Sequence, residues 1–310
     1  MKIGLYNLEP KYQNLALEKI RKYYSGSAVD CSPMEGKEFD VVYCSSIFDF
    51  SEKDYVLPSM VTGGTGFNLT TKLPPEIDAI LPRLNKGFTT RGCIRKCKFC
   101  VVPEKEGYIH AVGDLLDLWD GKAKEIILYD NNILAMPEHF EMVCQQAREN
   151  KLRLDFNQGL DHRLLTPEII DTMKSISHYE YRFAFDHPSY INSVEKSITL
   201  LQSKGINRCN WYVIVGFDTT FNQDLDRLNY LREHNQIAFV QRFKGKKKGK
   251  RVKLGQNYVA LARWVNQHDI FRGMTWEQFL KHPDNKRYRY LLQSPSGVEG
   301  KKDIATYCTM

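Results

Sequence analysis

The sequence predicts an α/β protein: a partial (β/α)6 barrel with a small Rossmann-like α/β unit before it and a helical extension after it. From residue 87, short apolar runs alternate with amphipathic segments, which is the pattern of parallel β/α units. The runs are too continuously apolar for a sheet with one face in water, and six units are fewer than the eight that close a barrel. We expect domains at 1–84, 85–243 and 244–310.

Length and composition indicate a globular protein. The chain has 310 residues and 42% hydrophobic residues, enough for a large core. No apolar run reaches the roughly 18 residues of a membrane span, and the start "MKIGLYNLEPKYQ" lacks the features of a signal peptide. We therefore expect a cytoplasmic protein without membrane contact, whose eight cysteines are reduced thiols or metal ligands.

The first 84 residues are expected to form the small α/β unit. "KIGLYNL" and "FDVVYCSSIF" are short apolar strand candidates, and "NLALEKIRKYY" between them has a helical pattern. "TGGTGF" (62–67) lacks the full dinucleotide-binding pattern, so a plain turn is favoured over an anion-binding loop. Residues 73–86 carry three prolines and are interpreted as a linker.

The barrel region has a regular rhythm of strands and helices. The helical segments between strands carry apolar stripes, as in "INSVEKSITLLQSKG", which ends at a glycine suited to a helix C-terminus. The strand candidates are "GFTTRG", "EIILYD", "LRLDFN", "YRFAFD", "NWYVIVGF" and "IAFVQRF". Their carboxyl ends should meet at one edge, where such folds place their active sites.

The region after residue 243 differs in character. Residues 242–253, "RFKGKKKGKRVK", hold eight cations and no acid, while the net charge of the whole chain is +7. Such a run can bind nucleic acid through its phosphates, but a solvated, mobile glycine- and lysine-rich loop is the interpretation that we favour. "QNYVALARWVNQHDIF" and "WEQFLKH" predict helices, and the last stretch, "GVEGKKDIATYCTM", has little pattern.

The stretch "TTRGCIRKCKFCVVPEKEG" places three cysteines, Cys93, Cys97 and Cys100, within eight positions. A closed zinc site would need a fourth protein ligand, which nothing in the local spacing supplies. A disulfide would leave one cysteine over and requires an oxidising compartment. A [4Fe–4S] cluster bound by three thiolates would leave one iron open to another molecule, which is typical of a metal site that does chemistry.

This C-x-x-x-C-x-F-C loop, with Phe99 before its last cysteine, resembles the signature of the radical S-adenosylmethionine (SAM) enzymes. The resemblance implies a [4Fe–4S] cluster on Cys93, Cys97 and Cys100, with SAM chelating the fourth iron. It also implies reductive cleavage of SAM to methionine and a 5′-deoxyadenosyl radical that abstracts hydrogen from a substrate. A low-potential electron donor such as flavodoxin or ferredoxin is the implied redox partner.

Further residues match the places where this family binds SAM. Asp130, Asn131 and Asn132 follow the second strand, where many members carry Gly-Gly-Glu to hold the SAM ammonium group. Asn157 and Gln158 follow the third strand, within reach of the ribose or the methionine portion. A strand-to-helix turn is the structural alternative for the first segment, since Asp and Asn are natural there.

The fourth and fifth strands carry the remaining SAM candidates. Alternation puts Arg182, Ala184 and Asp186 on one side of the fourth strand, so Arg182 is expected to pair with the SAM carboxylate; a rim salt bridge is the open alternative. Ile214 and Gly216 match the family's I-x-G segment beside adenine, although Thr219 stands where an acid is often found.

The amino-terminal unit weakly resembles that of cobalamin-binding and methylthiotransferase-type members of the family. Cobalamin sites there often use an Asp-x-His-x-x-Gly segment, but the first histidine of this chain is His110, beyond the unit. We expect a degenerate domain without cobalamin.

The sequence does not identify the substrate. Acid, base or hydrogen-bonding candidates near the carboxyl edge are Asp161, His162, Asp186, His187, Asp218 and Arg242. Two functions of different classes therefore stay open. One is a radical SAM enzyme acting on a small molecule, a peptide or a nucleic acid, and the other is a nucleic-acid-binding protein with a structural metal on its cysteine loop.

Overall fold

The computed structural model describes residues 1–247 and 250–293. Its contacts divide the described residues into two compact units: residues 1–96 with 100–126, and residues 97–99 with 127–247 and 250–293. The domain limits predicted after residues 84 and 243 stay predictions. Cys308 and the patternless stretch predicted at the carboxyl terminus lie outside the described residues.

The first unit contains a parallel four-stranded sheet of order β2-β1-β3-β4. A short antiparallel pair, β6 and β7, comes later in the unit. Its strands are β1 (Ile3–Asn7), β2 (Ala28–Asp30), β3 (Val41–Ser45), β4 (Val61–Gly63), β5 (Lys86–Gly87), β6 (Thr90–Arg91) and β7 (His110–Ala111), and its helices are α1 (Leu15–Tyr23), α2 (Pro75–Asp78), α3 (Val102–Lys105) and α4 (Leu115–Leu118).

The core of this sheet explains both what the sequence predicted and what it missed. Leu17 and Ile20 of α1 pack on Ile3 and Leu5 of β1, as the apolar pattern indicates. Ile77, inside the proline-rich segment predicted to be a linker, is buried in the same cluster. That segment therefore covers the sheet, because its short helix places one apolar side chain where α1 leaves room.

The carboxyl edge of the first sheet is fastened by Glu9. Its carboxylate accepts hydrogen bonds from the Ser46 hydroxyl (2.9 Å), the Ile47 amide (2.9 Å) and the Ser51 hydroxyl. Burial acting alone would raise the pKa of Glu9, but these hydrogen bonds outweigh it and hold the pKa below its ordinary value. The glycine-rich segment 62–67 begins in β4 and continues as a turn, in which the Gly66 amide donates to the Ser46 carbonyl at 2.8 Å.

The second unit alternates strands and helices. Within the described ranges, no helix has both the length and the apolar character needed to cross a membrane. The strands, starting from one that begins in the first unit, are β8 (Glu125–Leu128), β9 (Arg153–Phe156), β10 (Ser177–His178), β11 (Arg182–Ala184), β12 (Asn210–Val215), β13 (Ile237–Arg242), β14 (Lys246–Lys247) and β15 (Lys250–Arg251), and the helices are α5 (Pro137–Glu149), α6 (Pro167–Lys174), α7 (Ile191–Ser203), α8 (Phe221–Glu233), α9 (Gln256–Val265), α10 (His268–Gly273) and α11 (Trp276–Lys281).

Parallel pairing in this unit confirms the α/β class. β12 pairs in parallel with β11 and β13, and β9 pairs in parallel with β10 and neighbours β8. Leu160, just after β9, forms a parallel bridge with Phe183 of β11. The predicted strand "GFTTRG" is instead divided: its first residue, Gly87, ends β5 with a φ of 156°, and β6 begins at Thr90.

Helices after β13 cover the outer edge of that strand. The Asn266 side chain, just after α9, accepts from the Val240 amide at 2.7 Å and donates to the Val240 carbonyl at 3.1 Å. One amide side chain thus satisfies both backbone groups of Val240, which hinders another strand from pairing at that position.

A fully buried ion pair on α8 fixes the carboxyl ends of β11 and β12. Asp224 and Arg227 are both 0% exposed and lie 2.5 Å apart. Arg227 donates to the carbonyls of Phe185 and Ile214, while Asp224 accepts from the Gly216 amide at 2.8 Å. Because a buried charge is costly unless paired and hydrogen-bonded, this pair determines where both strands end.

Replacing Arg227 with Met should lower the free energy of unfolding by about 3–5 kcal/mol, because the Asp224 charge would stay buried without its partner. Chemical denaturation followed by circular dichroism measures the change. The matched control is Lys281→Met, which breaks the exposed Lys281–Glu277 pair and should leave stability nearly unchanged. Equal stability of Arg227→Met and wild type would contradict the assigned role.

Candidate metal and cofactor site

The cysteine loop connects the antiparallel strands β6 and β7, whose register pairs Arg91 with His110. Arg91 bonds to the Glu106 carboxylate at 2.7 Å, and the same carboxylate accepts from the Gly92 amide at 3.0 Å. The Cys93 amide donates to the Gly107 carbonyl at 3.2 Å. The entry to the loop is therefore fixed by charged and backbone hydrogen bonds immediately before the first cysteine.

Gly92 and Gly107 both have left-handed backbone conformations, with φ of 78° and 75°. They differ in their surroundings. A Cβ atom at Gly92 would lie 2.3 Å from the Tyr108 carbonyl oxygen, whereas a Cβ at Gly107 would meet nothing within 4 Å. Gly92 is thus required both by its φ and by the close approach of a neighbouring backbone.

The three cysteines are half-buried. Cys93 and Cys100 belong to the first unit and Cys97 to the second. The Arg95 amide donates to the Cys93 sulfur at 3.3 Å. Hydrogen bonds to sulfur tune iron–sulfur clusters.

Phe99, the aromatic residue of the motif, packs at the carboxyl end of β12. Its ring lies edge-on to Phe217, with centroids 5.7 Å apart. The ring of Phe217 in turn contacts that of Phe243, with centroids 4.7 Å apart. Phe217 directly follows Gly216, whose amide is held by Asp224. An aromatic chain thus joins the cysteine motif to the strand that the buried ion pair fixes.

Arg163 is a residue of the candidate site that the sequence did not indicate. Burial alone would lower its pKa, but the hydrogen bond and charge of Asp161, with Tyr190 and Cys97 nearby, raise the pKa above its ordinary value. Its Nε atom lies 2.7 Å from Asp161 Oδ1. Asp161 caps the short 3₁₀ helix His162–Leu164 that carries Arg163. In the sequence, the only signal for Arg163 was a cation two residues after an Asp that could cap a helix.

The segment after β8 is buried in the second unit. Asp130 is 4% exposed and Asn132 is 2% exposed. The Asn132 side-chain amide donates to Asp161 Oδ2 at 3.2 Å, so Asp161 bridges Asn132 and Arg163. The structure thereby brings together predicted residues from the ends of β8 and β9 and adds Arg163 to them.

Asn157 and Gln158 lie in the turn after β9. The Tyr212 hydroxyl donates to the Asn157 carbonyl at 3.0 Å, and Gln158 is exposed. Gly159, with a φ of 82°, lies against the Tyr212 ring. Tyr212 thus fixes the backbone of this turn and leaves the two polar side chains to other contacts.

Arg182 has the salt-bridge arrangement that the sequence left open. Its guanidinium bonds to the Asp155 carboxylate and, through Nε, to Glu180 at 2.7 Å. Arg182 is also the first residue of β11, whereas Asp186 follows the end of that strand. Its pairing with a SAM carboxylate stays a prediction, and it would require an exchange of partners.

Ile214 and Gly216, predicted beside adenine, lie at the end of β12. The Ile214 amide donates to Asp186 at 3.2 Å. A Cβ at Gly216, where φ is 76°, would lie 2.4 Å from Leu254. Leu254 therefore covers the Cα of Gly216, and adenine would share this surface with the Leu254 side chain.

Asp186 and His187 have shifted pKa values at the end of β11. Burial raises the pKa of Asp186, although the Ile214 hydrogen bond and the Arg227 charge oppose it. Burial and the charges of Arg227 and Lys98 lower the pKa of His187. A neutral imidazole is therefore expected at neutral pH beside the loop residue Lys98.

Of the other candidates, His162 is buried, Asp218 has a positive φ of 49°, and Arg242 is exposed.

The donor types suit an iron–sulfur cluster, since thiolates are its usual protein ligands. In residues 1–247 and 250–293, no group of three or more His, Cys, Asp or Glu side chains is arranged to hold a metal ion. Cluster binding by Cys93, Cys97 and Cys100 therefore stays a prediction from their spacing and chemistry. Comparison with protein-family models and with curated proteins finds no match for this chain.

Gly92→Ala should destabilise the protein by about 1–3 kcal/mol more than Gly107→Ala, because both substitutions strain a positive φ but only the first forces a clash. The two free energies of unfolding, measured in denaturant, test this difference. The same pair tests the loop, since Gly92→Ala should also lower the iron content after anaerobic reconstitution. Equal effects of the two substitutions would contradict the assigned packing.

Proposed function

We propose that this protein is a radical SAM enzyme. The observation that carries the proposal is the spacing of Cys93, Cys97 and Cys100, together with the packing of Phe99 against Phe217 at the carboxyl end of β12. An active site at that edge is what a β/α architecture leads one to expect. We propose further that the parallel strands belong to a partial (β/α)6 barrel, which the order β8, β9, β11, β12, β13 along the chain supports.

Cys93, Cys97 and Cys100 would hold a [4Fe–4S] cluster, which would supply the electron that cleaves SAM. Arg163 then places a fixed positive charge near Cys97, and Asp161 holds that charge in position. A cation there favours the thiolate form of the cysteine, and thiolate is the form that binds metal. Asp161 and Asn132 support Arg163 from the neighbouring turn.

Polar side chains at the same edge would bind SAM. Asp130, Asn131 and Asn132 offer carboxylate and amide oxygens to the ammonium group, and Asn157 and Gln158 offer hydrogen bonds to the ribose. Phe217 and Leu254 provide apolar surface next to Ile214 and Gly216 for adenine. A closed apolar surface also excludes water and oxygen from reactive intermediates. A flavodoxin or ferredoxin would supply the electrons.

The structural-metal alternative makes different predictions for the same protein. Anaerobically reconstituted radical SAM enzyme should be brown with about four irons per chain, and it should release 5′-deoxyadenosine only with reductant. A structural zinc protein should be colourless, hold zinc tightly and cleave no SAM. Colourless zinc protein without SAM cleavage would contradict the proposal.

Replacing Cys97 with Ala should abolish reductive cleavage of SAM while leaving the fold intact, because the cluster would lose one of its three protein ligands. Release of 5′-deoxyadenosine under anaerobic conditions and the circular dichroism spectrum measure the two effects. Cys31→Ala is the matched control, since it makes the same chemical change outside the loop and should keep wild-type activity. Wild-type turnover by Cys97→Ala would contradict the ligand assignment.

A further inference from the structure

The described residues of the basic run 242–253 contain a pair of short antiparallel strands, β14 and β15, which we call the hairpin. β14 and β15 pair in an antiparallel register that places Lys246 opposite Arg251. The Val252 amide donates to the Gly245 carbonyl at 3.0 Å, and Arg251 donates to the Lys244 carbonyl at 2.8 Å. Backbone and side-chain hydrogen bonds therefore hold the described part of the run, while the mobile loop favoured from sequence stays a prediction; residues 248–249 lie outside the described ranges.

The hairpin concentrates positive charge on a small element. The run 242–253 has eight cations and no acidic residue. The side chains of Lys244, Lys246, Lys250 and Lys253 are exposed. A surface of this kind attracts polyanions, and the attraction falls with salt as counterions are released.

Both ends of the hairpin are anchored at the carboxyl end of β12. Phe243, before the hairpin, contacts the ring of Phe217, with ring centroids 4.7 Å apart. Leu254, after it, lies over Gly216. Since Phe217 also contacts Phe99 of the cysteine motif, two ring contacts join the start of the hairpin to the candidate site. A polyanion bound along the hairpin would therefore be led to that site.

The strand that leads into the hairpin exposes an aromatic ring. Phe239 of β13 is 38% exposed, and its ring lies edge-on to Tyr212 with centroids 6.1 Å apart. Gln241 follows on the same face and is also exposed, while Ala238 and Val240 on the other face are buried. A flat apolar ring followed by an amide suits an unstacked nucleobase, which stacks on aromatic rings and offers hydrogen-bonding edges.

We infer that the substrate of this site is a nucleic acid strand, whose phosphates bind the hairpin and whose unstacked base stacks on Phe239. The combination favours a polynucleotide over an acidic protein or an anionic membrane, because of these three only a nucleic acid carries both phosphates and bases that stack. The chemistry carried out on the base rests on the proposed function, but the binding itself does not.

The test is fluorescence anisotropy of the full chain with labelled single-stranded DNA and RNA and with duplex DNA, at several salt concentrations. The hairpin variant changes Lys244, Lys246, Lys250 and Lys253 to Gln. The slope of log affinity against log salt for single strands should become shallower by roughly 3 if all four contact phosphates. The control variant changes Lys11, Lys37, Lys122 and Lys196, which are also exposed, to Gln and has the same net charge. It should bind like wild type.

A second variant separates stacking from charge. Phe239→Leu should weaken single-strand binding by roughly 5- to 100-fold and leave the salt slope unchanged. Phe50→Leu, at another exposed phenylalanine, is its control and should have no effect. A preference for DNA or for RNA in the wild type would name the kind of strand.

Three results would overturn the inference. One is equal loss of binding in the hairpin and control lysine variants, which would reduce the effect to net charge. Another is insensitivity of single-strand binding to Phe239→Leu. The third is stronger binding to anionic lipid vesicles or to polyglutamate than to any nucleic acid. The assay needs neither cluster nor SAM, so its failure would leave SAM cleavage untouched, and failure of SAM cleavage would leave the binding result standing.

Discussion

The buried pair of Asp224 and Arg227 is the constraint on which the candidate site depends. Two charges in the amino-terminal half of α8 are removed from water, so each must pair with the other and form hydrogen bonds with backbone groups. Those backbone groups are the carbonyls of Phe185 and Ile214 and the amide of Gly216. Because a buried charge without these partners would be costly, the pair holds the ends of the two neighbouring strands in fixed positions.

The residues directly after those strand ends belong to the candidate site. Asp186 is next to Phe185 in the chain, and Phe217 is next to Gly216, so both side chains start from positions that the ion pair fixes. Phe217 contacts the aromatic residue of the cysteine motif and the ring at the base of the hairpin. One helix therefore positions, through backbone hydrogen bonds, the ring of Phe217 that both Phe99 and Phe243 contact.

The sequence predicted most of the regular elements but few of the side-chain partners. Apolar runs and stripes were sufficient for the main strands and helices because burial determines them locally. Strands of three residues, such as β2 and β4, are too short for a pattern, and Ile77 shows that a proline-rich segment can still fill a core. Arg163 was missed because what distinguishes it is its position beside Asp161, which is close in sequence, and near Cys97, which is distant in sequence.

The basic run shows why such partners are hidden from sequence. Its lysines are visible in the chain, but their location depends on Phe243 and Leu254, two apolar residues that flank the run and have no feature of their own. Each is defined by what it covers, Phe217 or Gly216, tens of residues earlier in the chain. Charge composition indicates which kind of ligand a segment attracts. The apolar contacts at the ends of the segment determine which part of the protein lies next to that ligand. Here those contacts lead from the lysines to the aromatic residue between Cys97 and Cys100.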